Sequence, residues 1–390
     1  MPQDLVTIVI PTFNQLHHTK ACLAALQKTL SPVLRARVHI IDNASQDGTQ
    51  DYLSSLEKEW PLLRWWGLKE NRGFNEASNL GAEKADSEFL VFLNNDTIPQ
   101  AGWLEALLEP MRNSRIGIVG PKLVFPESGL INHAGYVMNR GLGGFYAIYQ
   151  SFHHEELVVN RAREYQALLG ACLLMRRSLF MEVGGFDEFG LEDIALCLKV
   201  REKGLGVLYY PKSVVFHVGS ATIKGEPQAY LVTDSVAFNE RWPIGSLRDD
   251  DVHYYRRDGY SLAHASAAEG IRLKEDFSES FRFVEEAKGL REMGKTMEGI
   301  DLGLRAIALY PHNSAANLLL MEMYVEIGKL EEAKRCGVEF LSIEPWNFPF
   351  YEIVFQLMLA VGDQEGLRRL RDQAMVYPDF PKKLLEDFSK

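Results

Sequence analysis

An unbroken apolar segment ends in two amides and a carboxylate in the stretch Glu88-Phe89-Leu90-Val91-Phe92-Leu93-Asn94-Asn95-Asp96-Thr97. Apolar runs of this length, with β-branched and aromatic members, are typical of strands that are buried on both faces of a sheet. In open α/β sheets the ligand lies beyond the carboxyl ends of the strands, so we expect Asp96 at a cleft. A carboxylate there is a ligand for Mg2+ or Mn2+, which usually hold substrate phosphates. An ordinary turn after a buried strand explains the same residues, and both interpretations stay open at this point.

The composition is that of a folded globular protein. The 390 residues allow two or three domains, and 46% of them are hydrophobic. The first residues lack a basic region before a long apolar core, and no apolar run approaches the ~20 residues of a membrane span. We therefore expect a cytoplasmic protein with no integral membrane segment.

The net charge and the spacing of the cysteines limit which kinds of partner and which cellular compartment we expect. The net charge of -11 disfavours nucleic acid as a partner, because phosphate binding needs a concentrated basic surface. The cysteines lack CxxC spacing, which favours buried thiols in a reducing compartment over disulfides or a zinc site. They are Cys22, Cys172, Cys197 and Cys336.

Alternating strand and helix patterns precede the apolar segment. Two β-branched runs, residues 5–10 and 38–41, each end in a polar loop and lead into a helical pattern. Repeated β and α units imply a parallel sheet with right-handed crossovers, so the polar loops fall at one edge of that sheet. Asp42, at the second loop, is suited to bind a nucleobase edge or a ribose, but it would serve equally as a helix cap.

A third unit carries the loop that contains Asn71 and Gly73. It follows a strand expected over residues 62–66 and opens another helix. The free N–H groups at a helix N-terminus suit an anion such as a diphosphate. Capping alone explains these residues equally well.

Four motifs in this order resemble the family 2 glycosyltransferases of GT-A fold, particularly their rhamnosyltransferase-like branch. The motifs are Val9-Ile10-Pro11-Thr12-Phe13-Asn14, Asp42-Asn43-Ala44-Ser45-Gln46-Asp47-Gly48-Thr49, Asn71-Arg72-Gly73-Phe74 and Leu93-Asn94-Asn95-Asp96-Thr97. The resemblance implies an α/β GT-A domain with a Rossmann-like, mostly parallel sheet. It also implies a nucleotide-diphosphate sugar donor, linked to UDP or dTDP, and a Mn2+ or Mg2+ cofactor.

The resemblance extends to individual residues. Asp96 stands at the family's metal-binding Asp-x-Asp position, where one carboxylate is replaced by an amide, a variation that the family often shows. Asp42 is implied near the base of the nucleotide. The full set of implied donor contacts is Pro11, Thr12, Asn14, Asp42, Asn71, Gly73, Asn94 and Asn95.

A second acidic motif resembles the family's catalytic-base motif. It reads Gly185-Phe186-Asp187-Glu188 and continues to Glu192-Asp193. An inverting sugar transfer needs a base within hydrogen-bond reach of the acceptor hydroxyl, and Asp193, with Glu192 beside it, is the candidate. A helix N-cap carboxylate is the alternative interpretation. The family usually has a further acid and an Arg where this sequence has Ala195 and Lys199, which leaves the contacts of those side chains open.

The segments that follow extend the expected domain to residue 245. His217 ends a strand, and in this family a His at this place completes the metal shell or contacts the diphosphate, although many strand-end histidines are structural. Residues 139–159 show no clear period, and we assign them to the acceptor side of the cleft. Within them, His153-His154-Glu155-Glu156 is interpreted as a solvated loop rather than a metal site. A closing helix is expected within residues 230–242.

The remainder of the chain contains an internal repeat. Residues 246–280 are interpreted as a partly helical linker, with a helix expected over 263–274. Residues 281–390 resemble three tetratricopeptide repeats, whose stacked helix pairs form a concave surface that normally holds peptides or other proteins. The positions that recur with a period of 34 are Gly294, Gly328 and Gly362, then Ala306, Phe340 and Ala374, with Pro311, Pro345 and Pro378 ending successive units.

Other roles for the repeats stay open. The array could pack on the catalytic domain or mediate self-association into a homo-oligomer. Its aromatic cluster is expected to fill a core or an interface rather than to bind a ligand; its members are Trp346, Phe348, Phe350 and Tyr351.

Together these features predict a metal-dependent inverting glycosyltransferase. We expect Asp96 and His217 to hold the metal and Asp193 to activate the acceptor. Because a protein-binding array follows the catalytic domain, a polypeptide acceptor is the first hypothesis. The alternatives are a glycan-elongating transferase of surface polysaccharide assembly and a non-catalytic scaffold on a degenerate transferase fold.

Overall fold

The computed structural model describes residues 5–141, 143–150, 152–187, 191–219, 231–232, 236–266, 270–275, 278–344, 347–375, 380–381 and 384. The chain forms two compact units, Met1–Arg248 and Asp249–Lys390. Within the described ranges, no helix has the length and apolar character needed to cross a membrane. Four residues singled out in the sequence lie outside these ranges, namely Glu188, Pro345, Trp346 and Pro378.

The first unit alternates strands and helices along most of its length. Its strands are β1 (Val6–Thr12), β2 (Ala36–Asp42), β3 (Leu63–Gly67), β4 (Phe89–Leu93), β5 (Thr97–Pro99), β6 (Ile116–Val124), β7 (Ile131–His133), β8 (Tyr136–Asn139), β9 (Gly144–Ala147), β10 (Arg163–Glu164), β11 (Cys172–Arg176), β12 (Gly206–His217) and β13 (Leu231–Val232). Its helices are α1 (Leu16–Thr29), α2 (Thr49–Glu59), α3 (Gly73–Glu83), α4 (Trp103–Leu108), α5 (Arg177–Glu182), α6 (Glu192–Glu202) and α7 (Val236–Arg241).

A mostly parallel sheet forms the centre of this unit, with the order β10-β12-β6-β11-β4-β1-β2-β3. The neighbours β3, β2, β1 and β4 are parallel, as repeated β–α units require. β11 runs antiparallel between β4 and β6, while β12 is again parallel to β6. The expectation of an α/β, GT-A-like domain is confirmed.

The apolar segment behaves as its sequence predicts. All five residues of β4 are buried, because its neighbours β1 and β11 flank it and helices cover the sheet. β1, β2 and β4 end at Thr12, Asp42 and Leu93, so the polar residues that follow them emerge at one edge. Since β11 is reversed, its first residue, Cys172, pairs with Leu93 at that same edge.

Two segments of the first unit differ from the sequence-based expectations. Residues 139–159 are less irregular than expected, because β9 pairs with β8 inside them and a short 3-10 helix covers Leu157–Asn160. The closing helix is shorter than expected and spans Val236–Arg241, with Trp242 buried after it.

The second unit begins with a helix and a hairpin and continues as a helical array. The predicted helix over residues 263–274 is wrong, because the chain there forms the antiparallel strands β14 (Tyr260–Ser266) and β15 (Gly270–Glu275). Ile271-Arg272-Leu273-Lys274 alternates apolar and charged residues, which is the period of a strand. The helices are α8 (Asp251–Arg257), α9 (Ser278–Glu292), α10 (Thr296–Leu309), α11 (Ser314–Glu326), α12 (Leu330–Ile343), α13 (Phe348–Val361) and α14 (Gln364–Ala374).

The period of 34 residues has a direct structural counterpart in the array. Gly294, Gly328 and Gly362 each lie in the turn between the two helices of a pair, with φ angles of 76°, 75° and 76°. This left-handed conformation is costly for residues with a Cβ and routine for glycine at a helix C-terminus. The three helix pairs therefore end their first helix in the same way. The expected all-helical region is confirmed.

Candidate active site

Asp96 and His217 face each other at the edge where the strands end. His217 is the last residue of β12 and pairs with Thr97 of β5, while the N–H of Val218 donates 3.0 Å to the carbonyl of Asp96. These backbone contacts bring His217 Nε2 to 3.4 Å from Asp96 Oδ1. The two residues that the sequence predicts as metal ligands are therefore neighbours.

The Asp96 carboxyl group is buried and only partly partnered. Its Oδ1 atom is inaccessible to solvent and makes no hydrogen bond among the described residues, the 3.4 Å contact with His217 being an ion-pair distance. Burial opposes ionisation of this carboxyl, but His217, the backbone of Asp96 and the nearby His18 together hold its pKa below the ordinary value. A buried ionised oxygen without a donor is costly unless a cation or a ligand compensates it.

The donor set fits a hard or borderline divalent cation. A carboxylate oxygen suits Mg2+ and Mn2+, and an imidazole nitrogen is tolerated better by Mn2+. No group of three or more His, Cys, Asp or Glu side chains suited to a metal is found in the part of the chain that the structure describes. A metal held here would therefore take its remaining ligands from water and from substrate phosphates, which is the usual arrangement for Mg2+.

Asp42 has a second carboxylate oxygen that lacks a hydrogen-bond partner among the described residues. The residue is fully buried at the end of β2. Its Oδ2 atom accepts from the N–H of Ser45 at 3.1 Å and from Nε2 of Gln50 at 2.7 Å. Its Oδ1 atom is buried and makes no hydrogen bond within the described residues. The group is thus oriented through one oxygen and free to accept one N–H donor at the other.

The side chains of two implied donor contacts, Asn14 and Asn71, accept hydrogen bonds from loop backbone. Asn14 has a left-handed backbone with φ 53°, and its Oδ1 atom accepts from the N–H of Gln46 at 2.9 Å. Asn71 Oδ1 accepts from the N–H of Gly73 at 2.9 Å, which is the local capping that the sequence also allowed. These side chains shape the loops that surround the ligand position.

The remaining candidates surround the end of β1. Asn95 Nδ2 donates to the hydroxyl oxygens of Thr12 and Thr19, each at 3.1 Å. Pro11 lies inside β1 opposite Ile41, and Asn94 contacts its surroundings through its backbone. This network joins the Asn94-Asn95-Asp96 turn to β1 and α1 and so fixes the backbone next to Asp96.

Asp193 occupies the first turn of α6. Its Oδ2 atom accepts from the N–H of Gly170 at 2.9 Å, and its Oδ1 atom accepts from the N–H of Ile194 at 2.8 Å. Burial raises the pKa of this carboxyl to about 6, and the neighbouring charge of Glu192 adds to the rise, while the backbone hydrogen bonds oppose it. The group is ionised at neutral pH and still basic enough to accept a proton, which is the property of a general base.

Two asparagines on α3 hold the loop that precedes Asp193. Asn79 exchanges two hydrogen bonds with the backbone of Phe186, both of 2.9 Å. Asn75 Nδ2 donates to the carbonyl of Asp187 at 2.8 Å and contacts Glu192 Oε1 at 3.3 Å. Glu192 is thereby tied to the loop, whereas Asp193 reaches the edge of the sheet.

The two departures from the family pattern have structural roles. Lys199 forms an ion pair with Asp187 through Nζ and Oδ2 at 2.7 Å, and it also donates to the carbonyl of Gly185. Ala195 is fully buried, where a charged side chain would need a partner. Lys199 therefore stabilises the loop before the base.

Several residues of the site carried no recognisable signal in the sequence. Asn132, which contacts His217, lies in a three-residue strand with no motif around it. Gly170 lies two positions before β11, and nothing in the sequence around it indicates a contact with Asp193. Gln50, Asn75 and Asn79 sit on helices, where their partners 8 to 112 residues away are invisible to local patterns.

Comparisons with known proteins identify what the first unit is similar to. Residues 7–184 match the model of the glycosyl transferase family 2. This range includes Asp42, Asp96 and Gly170 and stops short of Asp193 and His217.

Among the relatives, the O-antigen biosynthesis protein RfbC of Myxococcus xanthus is 31% identical over 198 residues, which cover 47% of this chain and 15% of that protein. An N-acetylglucosaminyl-diphospho-decaprenol L-rhamnosyltransferase of Mycobacterium tuberculosis is 27% identical over 252 residues, covering 58% of this chain and 80% of that protein. The chain spans 25% of the length of a further relative that is 30% identical.

A crystal structure of GalNAc-T7 with UDP, GalNAc and Mn2+ has a TM-score of 0.48 and 18% identity, and the likeness covers 55% of this chain and 44% of that chain. The family match and the relatives together support a glycosyltransferase family 2 domain in the first unit, with a rhamnosyltransferase among its relatives.

Proposed function

We propose that this protein transfers a sugar from a nucleotide-diphosphate sugar to an acceptor hydroxyl with inversion at the anomeric carbon. The observation that carries the proposal is the buried Oδ1 atom of Asp96, which lacks a hydrogen bond among the described residues and faces His217 Nε2 at 3.4 Å. A carboxylate oxygen without a hydrogen-bond donor, beside an imidazole nitrogen at the carboxyl end of the sheet, suits a cation with a bound diphosphate.

Asp96 and His217 would hold Mn2+ or Mg2+, which when bound supplies positive charge that stabilises the departing diphosphate. The backbone bond from Val218 to Asp96 keeps the backbones of Asp96 and His217 close together. The network of Asn95 with Thr12 and Thr19 keeps the turn before Asp96 in place. Pre-organisation of this kind lowers the cost of assembling the site when the donor binds.

Asp42 would recognise the nucleobase. Because Ser45 and Gln50 occupy Oδ2, only Oδ1 remains to accept from the ligand. The imide of uracil or thymine offers one N–H flanked by two carbonyls, whereas guanine offers two adjacent donors that match both oxygens of a carboxylate. The single open oxygen therefore favours a UDP- or dTDP-linked donor over a GDP-linked one.

Asp193 would act as the base. The acceptor oxygen attacks the anomeric carbon, the bond from that carbon to the diphosphate breaks, and the hydroxyl proton passes to the Asp193 carboxylate. Gly170 and Ile194 each donate one backbone N–H to this carboxylate, which orients it and leaves lone pairs for the acceptor. Glu192, held by Asn75, contributes negative charge beside the base.

The acceptor has two candidates. The helical array, with its 34-residue period and its identical glycine turns, resembles tetratricopeptide repeats and favours a polypeptide acceptor or partner. Two relatives, an O-antigen biosynthesis protein and an N-acetylglucosaminyl-diphospho-decaprenol L-rhamnosyltransferase, favour glycan elongation instead. Release of UDP or dTDP in the presence of a protein, a free glycan or a lipid-linked glycan distinguishes the two.

Thermal unfolding of the full chain with UDP, dTDP and GDP, each with Mn2+, Mg2+ or chelator, tests the donor site. A ligand at a hundred times its dissociation constant stabilises the folded state by ~2.7 kcal/mol. We expect a metal-dependent rise in melting temperature with UDP or dTDP that is lost in Asp96→Asn. No rise with any nucleotide would overturn the proposal and favour the scaffold alternative.

A further inference from the structure

The backbone contacts fix the position of the His217 Cα atom but not the orientation of its imidazole ring. Pairing of His217 with Thr97 and the bond from Val218 to Asp96 place the Cα atom of His217 beside the carboxylate. Neither contact reaches the imidazole. A metal ligand must also present a lone pair at the correct nitrogen, which the backbone cannot ensure.

Asn132 supplies the missing constraint. Its Oδ1 atom lies 2.9 Å from Nδ1 of His217, and both residues are buried. An amide oxygen only accepts hydrogen bonds, so Nδ1 must carry the proton in this arrangement. In the neutral ring, Nε2 then bears the lone pair, and this atom points at Asp96 Oδ1 from 3.4 Å.

Of the described residues beside this amide, Gly219 leaves space for it and His133 does not replace it as a partner of His217. A Cβ atom at Gly219 would come within 3.2 Å of Asn132 Nδ2, so the glycine makes room for the amide group. The adjacent His133 is engaged elsewhere, because its Nε2 atom accepts from the N–H of Leu169 at 3.0 Å. Burial lowers the pKa of His133 to about 3, so that ring is neutral.

We infer that Asn132 is a positioning residue, which holds His217 as the Nδ1–H tautomer and so presents its Nε2 lone pair to a divalent cation shared with Asp96. This inference rests on the proposed function, because it gives the pair a cation to bind. Hydrogen-bond partners that orient ligating histidines typically change metal affinity by ~10–100-fold when they are removed.

The competing arrangement has a different tautomer. If the amide of Asn132 were rotated, Nδ2 would donate to Nδ1, and an Nε2–H group would donate to Asp96. That arrangement would satisfy Asp96 Oδ1 through the histidine and would leave no lone pair for a cation. Determining the tautomer of His217 therefore distinguishes the two orientations of the Asn132 amide.

The first experiment reads the tautomer without metal. Nitrogen-15 NMR of the full chain in chelator, at a pH where His217 is neutral, gives separate shifts for protonated and unprotonated ring nitrogens. Comparison with the His217→Gln spectrum assigns the signals. We expect Nδ1 protonated and Nε2 bare in the wild type and a mixture of tautomers in Asn132→Leu. A wild-type ring protonated at Nε2 would overturn the inference.

The second experiment measures Mn2+ affinity by titration with the nucleotide present. We expect Asn132→Leu to weaken binding ~10–100-fold and Asn132→Asp, which keeps an acceptor at this place, to restore it. Asn132→Ala serves as a second variant, and melting curves without ligand confirm that each variant folds. Equal affinity in the wild type and both apolar variants would overturn the inference while leaving the metal site intact. Absence of Mn2+ binding to the wild type would overturn the metal site, and the inference with it.

Discussion

The backbone N–H of Gly170 donates a 2.9 Å hydrogen bond to Oδ2 of Asp193. The next carbonyl, that of Ala171, accepts from the N–H of Asn94 at 2.9 Å. A dipeptide thus links the candidate base to the strand end that carries Asp96. Because both contacts involve the backbone of the sheet edge, the position of Asp193 relative to Asp96 depends on the sheet and little on flexible side chains.

Asp193→Asn should abolish most transfer and keep donor binding. The amide has the size of the carboxyl group but cannot take the proton of the acceptor, so we expect the transfer rate to fall by ~10²–10⁴-fold. Rates of nucleoside diphosphate release with acceptor, and calorimetric titration with the nucleotide, give the two quantities. Glu182→Gln, an exposed carboxylate paired with Lys203, is the matched control. Transfer by Asp193→Asn at the wild-type rate would refute the assignment of the base.

The transfer rate should depend on pH through Asp193. Burial raises the pKa of this carboxyl to about 6, so protonation below that value removes the base, and we expect the rate to fall towards low pH and to level off above neutrality. The pKa of Asp96 is held low, but a cation bound through His217 Nε2 also needs an unprotonated imidazole, so metal and nucleotide binding is measured at each pH and rates are compared at saturation. A rate that stays constant from pH 5 to pH 8 while binding is intact would contradict this.

The same shift has a predictable effect on stability. The folded state keeps the Asp193 proton up to a higher pH than the unfolded state, so this residue lowers stability as the pH rises from about 4 to about 6. The substitution Asp193→Asn removes this pH-dependent contribution to the free energy of unfolding. The melting temperature of the variant, relative to the wild type, should therefore increase over this interval. A constant difference would show that the pKa is not raised in the folded state.

Gly170→Ala should impair catalysis through a steric contact. A Cβ atom at Gly170 would lie 3.1 Å from Cβ of Asp193, so the backbone or the base must move. We expect a reduced turnover number with little change in nucleotide affinity, since a shift of the base misaligns the acceptor step alone. Gly245→Ala is the control, because a Cβ there meets no atom within 4 Å. Equal turnover in both variants would argue against close packing at Gly170.

Asp42→Asn should weaken nucleotide binding. We propose that Oδ1, which has no partner among the described residues, accepts an N–H from the nucleobase. A hydrogen bond of this kind to a carboxylate contributes about 1.5–3 kcal/mol, so its loss should lower affinity ~10–100-fold. Calorimetric titration with UDP and dTDP measures it. Asp51→Asn, on the exposed face of α2, should bind normally. Unchanged affinity in Asp42→Asn would remove Asp42 from the nucleotide site.

In the second unit, His312→Leu should be strongly destabilising. Nε2 of His312 lies 2.5 Å from Asp258 Oδ1, and Nδ1 lies 2.5 Å from Glu344 Oε1, with all three side chains almost fully buried. Removing one partner of a buried charged cluster typically costs about 3–5 kcal/mol. Urea unfolding followed by circular dichroism would report the loss, with exposed His253→Gln as the control. A loss below 1 kcal/mol would show that the carboxylates tolerate the absence of the imidazole.

Local sequence patterns predict most of the strands and helices that the structure contains. Burial of a strand or of one face of a helix imposes a characteristic spacing of apolar residues. Such spacings occur in the apolar run of β4, in the β-branched runs of β1 and β2 and in the repeat of the helical array, so the type of each element is predictable from the sequence. The hairpin of β14 and β15 was missed, because its small residues and charges also fit a helix and only the pairing of two strands distinguishes them.

The candidate residues Asp42, Asp96, Asp193 and His217 stand out in the sequence through the resemblance of their motifs to the glycosyltransferase family. Without that resemblance, turns, helix caps and structural contacts explain them equally well. Their partners carry no such signal. Asn132 meets His217 across 85 positions, and Gly170 meets Asp193 across 23. Such pairs arise from the order and direction of strands in the sheet, above all from the reversed β11. The sequence by itself therefore determined which groups are candidates for the chemistry, and the tertiary structure alone decided which neighbours hold them, because hydrogen bonds between distant segments leave no periodic signal.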